Sequence, residues 1–229
     1  MPNKISLKVV LITGPPGAGK STALHTLDRE HPYMARFSVR DYGLRLAAAG
    51  DPLGLAMRET LLRQEMLTDE VVLAEFNHFL DNLPNGVHVI AAEGYPRGPR
   101  QCDDVLRAVS ARGARVTDFV VVDVPDSVAR ERVANRRLCG SCGATTNDPD
   151  SVACPDCGGA IMRRRDDEAS KFEWRLVDYH EVSRELHPYF ARRALLRKID
   201  GTRSLNEVRE LLHAVLSDKT DVELSDFNR

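Results

Sequence analysis

Apolar positions along the chain follow two periods. Residues 9–12, VVLI, form an unbroken apolar run that stops at a Gly-Pro-Pro turn, and the amphipathic stretch after it places Leu24 and Leu27 on one side. That is a strand, a glycine-rich turn and a helix. Residues 87–98, VHVIAAEGYPRG, and residues 118–127, DFVVVDVPDS, repeat the logic: each is an apolar strand that ends in a turn, with helical spacing after it. Continuously apolar strands alternating with helices predict a parallel sheet covered on both faces. Ligands of such sheets sit at the carboxyl ends of the strands.

Two segments break this rhythm. Residues 38–67 lack strand character and read as two or three short helices interrupted by GDPLG, an inserted helical flap. Residues 135–167 are rich in Gly, Asp, Pro and Cys with few large apolar side chains, so they cannot build a hydrophobic core of their own. Beyond them Phe172, Leu176, Tyr179, Val182 and Leu186, spaced 4, 3, 3 and 4 apart, mark one face of a helix. LLRKIDG then reads as a last strand, and Ser204 with Glu207 three residues on reads as the cap of a C-terminal helix. The expected organisation is a core of residues 1–37, 68–134 and 168–229 with insertions at 38–67 and 135–167.

Composition narrows the class. A chain of 229 residues, 42% hydrophobic and 29% charged, can bury one substantial core plus small appendages. Its net charge of −2 supplies no global field for nucleic acid or anionic membrane, so any basic site is local. No apolar run approaches the ~20 residues of a membrane span, and the start, MPNKISLKVVLITGPPG, carries no signal-type cleavage site. A cytoplasmic protein is expected.

The chemistry concentrates in four places. Gly14 to Ser21, GPPGAGKS, matches G-x-x-x-x-G-K-[ST] between the predicted strand and helix. There backbone N–H groups wrap phosphate oxygens, Lys20 reaches the β- and γ-phosphates, and the Ser21 or Thr22 hydroxyl holds magnesium. Cys139, Cys142, Cys154 and Cys157 form two C-x-x-C pairs separated by eleven residues. Four thiolates at this spacing suit a closed, structural zinc site that supplies folding energy the segment otherwise lacks, a redox dithiol pair being the alternative. Arg132 and Arg136 lie four apart on the helix entering that segment, where like charges oppose each other and an anionic partner would relieve them. Finally, Glu93 in EGYPRGPRQ ends a strand, where a carboxylate can hold magnesium through water and Arg97 can face a second anion.

Taken together, GPPGAGKST, GDPLG, MLTDEVV, EGYPRGPRQ, VPDSVARERVANRR, the four-cysteine segment, RRRDDE, WRLVDYH and IDGTRSLNEV give the chain a resemblance to the adenylate kinase family of nucleoside monophosphate kinases along nearly its whole length. The resemblance implies an α/β P-loop core, a monophosphate-binding flap at 38–67 and a zinc-ribbon lid at 135–167 that closes over ATP. By position, Gly17, Ala18, Gly19, Lys20, Ser21 and Thr22 would hold ATP phosphates, with Arg132, Arg136, Thr145 and Thr146 closing from the lid and Arg203 near the adenine. Val39, Arg40, Leu44, Glu65, Leu67, Gly94, Arg97 and Gln101 would line the monophosphate site. Arg164 and Arg175 would bridge toward the transferring phosphoryl group, completing a catalytic set with Lys20, Arg97 and Arg136.

The chain also departs from the family pattern. The usual S-T-G-D-x-L-R reads here as SVRDYGL, so Val39 replaces a hydroxyl contact and Leu44 an arginine that grips the acceptor phosphate. Leucine cannot substitute for a bidentate guanidinium; Arg40 or Arg45, nearby in the sequence, would have to compensate. Glu93 stands where aspartate is usual, and Thr145-Thr146 where an apolar-aromatic pair packs near ATP. The expected reaction is reversible γ-phosphoryl transfer from MgATP to AMP by a monomer, with structural zinc and no nucleic-acid or membrane partner. The alternatives are another acceptor (UMP, CMP, a deoxynucleotide or a non-nucleotide), a P-loop ATPase with a nucleic-acid-binding knuckle, and a nucleotide-binding scaffold without turnover.

Overall fold

The apolar runs become buried strands whose alternate residues serve two separate cores. The computed structural model describes residues 7–63, 65–140, 145–146, 148, 150–154, 157–163 and 167–217. Strand β1 (Lys8–Thr13) leads through the glycine-rich turn to helix α1 (Lys20–Glu30) and strand β2 (Met34–Ser38). Helices α2 (Val39–Ala48) and α3 (Pro52–Leu62) form the first insertion. They are followed by α4 (Asp69–Asp81), β3 (Val89–Glu93), α5 (Pro99–Ser110), β4 (Arg115–Asp123) and α6 (Asp126–Asn135). Three short strands, β5 (Arg137–Cys139), β6 (Thr145–Thr146) and β7 (Ile161–Met162), precede α7 (Ala169–Ala191), β8 (Leu196–Asp200) and α8 (Leu205–Leu216).

The main sheet runs β2-β3-β1-β4-β8 with every neighbouring pair parallel, the doubly covered α/β architecture expected from the sequence. Val10 and Ile12 of β1 with Val120 and Val122 of β4 face α1, α6 and α8. Val9, Leu11, Phe119 and Val121 face α4, α5 and the C-terminal half of α7. A strand buried on both sides has no polar alternation, which is why these runs read as unbroken. Leu176 and Phe172 of α7 pack into the first core, whereas Leu186 and Phe190 pack into the second, so this one helix joins them. Ser204 and Glu207 make the reciprocal capping box at the start of α8.

The second insertion is a separate antiparallel sheet of order β6-β5-β7, with Leu138 opposite both Thr145 and Met162. Strand β2, from the short stretch MARFS, adds an edge strand beyond those the sequence pattern reveals, and α2 starts at the residue directly after it.

One buried group contradicts its residue type. Glu75 of α4 is fully buried on the face shared with Val72 and Phe76, against Gly43 of α2 and Met57 of α3. Neither carboxyl oxygen finds a hydrogen-bond partner among the described residues. Burial pushes the carboxyl up to about 9, and the Gly43 backbone N–H lies close enough to oppose the shift without completing a hydrogen bond. A carboxyl held neutral in the folded state but ionised in the unfolded chain loses stability as pH rises, beginning at its unfolded value and ending at its folded one. Glu75→Gln, which does not titrate, should therefore gain stability over the wild type by up to ~1.4 kcal/mol per pH unit between about pH 5 and pH 9 in urea denaturation. Parallel stability curves for the two proteins would exclude a neutral buried Glu75.

Candidate active site

The turn from β1 into α1 is shaped by what lies beneath it. A Cβ at Gly14, whose φ is +147°, would come within 2.2 Å of the Val122 carbonyl oxygen, and one at Gly17, with φ +91°, within 2.7 Å of the Ala129 oxygen. No side chain fits at either place, so the loop lies directly on the backbone of β4 and α6. Gly19 caps α1 without a side-chain hydrogen bond, leaving the first helical N–H groups for an external anion. The Lys20 ammonium folds back to donate to the carbonyls of Gly14 at 2.7 Å and Pro15 at 2.9 Å. Burial above all lowers it to about 8; Glu93 pulls it up, and the charges of Arg175, Arg136 and Arg97 press it further down. Three of the four other residues expected to be catalytic thus lie within electrostatic reach of Lys20; Arg164 lies outside the described residues.

Beside the loop, the register that sets Ile12 opposite Glu93 brings the end of β3 against α1. The Ser21 hydroxyl donates to Glu93 Oε1. Glu93 Oε2 accepts from Arg36 Nε at 2.9 Å and Nη2 at 2.6 Å, and Arg36 Nη1 meets Asp41 Oδ2 at 2.8 Å. A hydroxyl with a carboxylate is a hard-oxygen donor pair of the kind magnesium takes together with phosphate, so Ser21 and Glu93 fit that ion. Arg36 is absent from the sequence reading; its only signal is a charge inside an otherwise apolar strand.

On the other side, Thr22 and Thr145 share a hydrogen bond of 2.6 Å between their hydroxyls, placing β6 directly on α1. Thr146 accepts from the Asp148 amide at 3.1 Å. Arg132 Nη1 donates to the Gly201 carbonyl at 2.7 Å in the loop that carries Arg203, itself 4.0 Å from Asp200. The expected repulsion between Arg132 and Arg136 along one helix does not arise: α6 ends at Asn135 and Arg136 turns into extended backbone. Arg136 binds Asp167 through both Nε, at 2.8 Å, and Nη2, while Arg175 approaches the same carboxylate at 3.5 Å. Asp167 is 2% exposed and is a second residue that the sequence reading passed over, although it stands inside the quoted RRRDDE.

The flap side is built differently. Arg97 donates from Nε to the Gly94 carbonyl at 2.9 Å, and its backbone N–H to Gln101 Oε1 at 2.7 Å. The Gln101 amide donates in turn to Asp69 at 2.7 Å. Val39 and Leu67 pack against the core around Phe76 and Tyr95. Leu44 is 40% exposed, Arg40 and Glu65 are exposed, and Arg45 lies 5.4 Å over the Tyr42 ring. These last four residues are not drawn into the cluster around Lys20.

The sulfurs of Cys139, Cys154 and Cys157 lie within 4.8 Å of one another, Cys139 and Cys157 at 3.5 Å. Cys142 lies outside the described residues. The close contact joins the two C-x-x-C pairs rather than the members of one, and three thiols that converge across pairs fit a tetrahedral metal better than two separate dithiols.

A family model described as an AAA domain matches residues 9–147, the phosphate loop through the start of the small sheet. The chain is 31% identical over 214 residues to an adenylate kinase from Carboxydothermus hydrogenoformans, covering 87% of this chain and 94% of that one. It is 28% identical to an adenylate kinase from Novosphingobium aromaticivorans, over 91% and 98% of the two chains. An adenylate kinase from Symbiobacterium thermophilum is 30% identical over 87% and 94%.

Proposed function

The chain belongs to the adenylate kinase family of nucleoside monophosphate kinases, with its phosphate loop inside the AAA-domain match, and from that premise we propose that it transfers the γ-phosphoryl group of MgATP reversibly to AMP. It is a phosphotransferase whose acceptor is a phosphate group. The observation that carries the reading is a glycine-rich turn forced by the backbone beneath it, with Lys20 at its end and Arg97, Arg136 and Arg175 within electrostatic reach of that lysine.

In this reading Gly17, Ala18, Gly19, Ser21 and Thr22 bind the donor's phosphates through backbone and hydroxyl groups. Arg132, Thr145, Thr146 and Arg203 complete the donor site from the lid and the last loop. Gly94, Arg97, Gln101 and Leu67 serve the acceptor, with Arg175 and Arg164 between the two. The acceptor oxygen is already anionic, so no general base is needed, and the arginines and Lys20 act by positioning and by neutralising charge on the transferred group. Ser21 and Glu93 would hold magnesium, which when bound spreads the phosphate charge. Closure of residues 135–167 over the donor and 38–67 over the acceptor excludes water as a competing acceptor. The enzyme works as a cytoplasmic monomer; among the described residues no helix is long and apolar enough to cross a membrane. Leu44, exposed where the family has an arginine, favours a second reading in which another monophosphate is preferred.

A coupled assay with ATP and a panel of nucleoside monophosphates separates the two, and strong turnover of UMP or CMP beside none with AMP would replace the first reading with the second. Because the Lys20 ammonium titrates near pH 8 in the free enzyme, kcat/KM for ATP should fall as pH rises through that value. Lys20→Ala should lose roughly two orders of magnitude or more in kcat/KM and show no such bend. Freshly purified protein should carry about one zinc per chain by elemental analysis. Cys154→Ala should lose that zinc and, with it, thermal stability; metal-free protein of unchanged stability would remove zinc from the assignment.

A further inference from the structure

The guanidinium of Arg36 lies between two carboxylates, Glu93 beside the phosphate loop and Asp41 of α2. Its side chain is 10% exposed and that of Glu93 9%. Strand register explains the meeting. Arg36 lies opposite Ala91 and Ser38 opposite Glu93, so Arg36 leans one diagonal step along β3 to reach the carboxylate. All three guanidinium nitrogens are used: Nε and Nη2 on Glu93 Oε2, Nη1 on Asp41 Oδ2. Behind it, the Arg36 backbone N–H donates to Asp28 Oδ1 of α1 at 2.9 Å, which fixes the strand at this point.

This arrangement divides the two oxygens of Glu93. Oε2 is taken by Arg36, while Oε1 remains on the Ser21 hydroxyl at the edge of the phosphate loop. A glutamate has one more rotatable bond than an aspartate, and the doubled contact to Arg36 removes that freedom. The guanidinium is also a permanent charge that no accessible pH removes. Glu93 and Asp41 together carry −2, which Arg36 reduces to −1 before any metal arrives. Magnesium gives up its waters reluctantly and binds through one or two carboxylates plus phosphate oxygens, so a half-neutralised pair holds it weakly until phosphates are present.

We propose that Arg36 is a positioning residue and resident counter-cation for the magnesium-holding carboxylate of Glu93: it holds Glu93 aimed at Ser21 in the nucleotide-free enzyme and keeps divalent metal out until the nucleotide brings it. The proposal rests on Ser21 and Glu93 being the magnesium-holding pair.

Mn2+ is the probe, its binding read by electron paramagnetic resonance on the purified chain with and without ATP. Wild type without nucleotide should bind Mn2+ no more tightly than Glu93→Gln does. Arg36→Met, which keeps the stem and removes the charge, should bind Mn2+ without nucleotide about tenfold more tightly or better, and adding Glu93→Gln to it should abolish the gain. Arg36→Lys keeps the charge and should stay near wild type. The proposal is overturned by nucleotide-free wild type that binds Mn2+ better than Glu93→Gln, by Arg36→Met that gains nothing, or by a gain that survives removal of Glu93. Should Arg36→Met fail to fold, the wild type against Glu93→Gln comparison decides alone. Failure of the underlying assignment looks different: ATP-dependent Mn2+ binding would then be indifferent to Glu93→Gln.

Discussion

Charge compensation governs this site. Lys20, Arg97, Arg136 and Arg175 are collected around a single turn, and burial has already lowered the lysine to about 8. Cations at that density repel one another unless something negative stands among them. The fold supplies it in three forms: the carbonyls of Gly14 and Pro15 on Lys20, the Glu93 carboxylate beside the loop, and Asp167 between Arg136 and Arg175. Glu93 stays on Arg36 and Ser21, whereas the carbonyls and Asp167 occupy cations that the proposed reaction would turn toward phosphate. A polyphosphate entering the loop exchanges these internal partners for its own oxygens, so the basic groups are already assembled when it arrives and little reorganisation remains.

The same logic explains the division between the two insertions. Among the described residues, the second insertion touches α1 through a polar contact, Thr145 on Thr22. Such contacts are individually modest and exchange readily with water. The flap side is tied in more deeply, since α2 and α3 press Gly43 and Met57 onto Glu75 inside the fold. A neutral acid without a partner weakens that joint, and on the proposed function this suits an element that parts from α4 when a substrate enters.

Much of this was legible in the chain, for identifiable reasons. The phosphate loop announces itself because glycine is forced by backbone contacts with Val122 and Ala129, and the two-sided burial of β1 and β4 leaves unbroken apolar runs. Arg36 and Asp167 were not legible, because their roles depend on partners 57 and 31 residues away and their types are ordinary at a surface. Glu75 lies on the buried face of α4 with Val72, Phe76 and Phe79, so its position was readable and only its residue type argued for solvent. Arg136 was misplaced through a boundary: one further helical residue would have stacked it on Arg132, and the helix stops at Asn135. Helix ends are where sequence patterns carry least information.

On the proposed function residues 135–167 are a moving cap, and the cysteine cluster supplies what such a cap requires. A lid built on an apolar core would have to bury that surface somewhere, and the nearest surface is the domain from which it must separate. Residues 135–167 avoid the conflict by having almost no such side chains, and among those described Val152 and Met162 are exposed. Rigidity then has to come from within, and the convergence of Cys139, Cys154 and Cys157 offers it through ligation instead of burial. In that proposal a cap rigid in its own right moves as a unit with Thr145, which rests on Thr22 of α1. On the proposed chemistry, the metal staple and the arginine cluster are therefore two halves of one solution: the staple lets the lid move, and the charge gives it a reason to close.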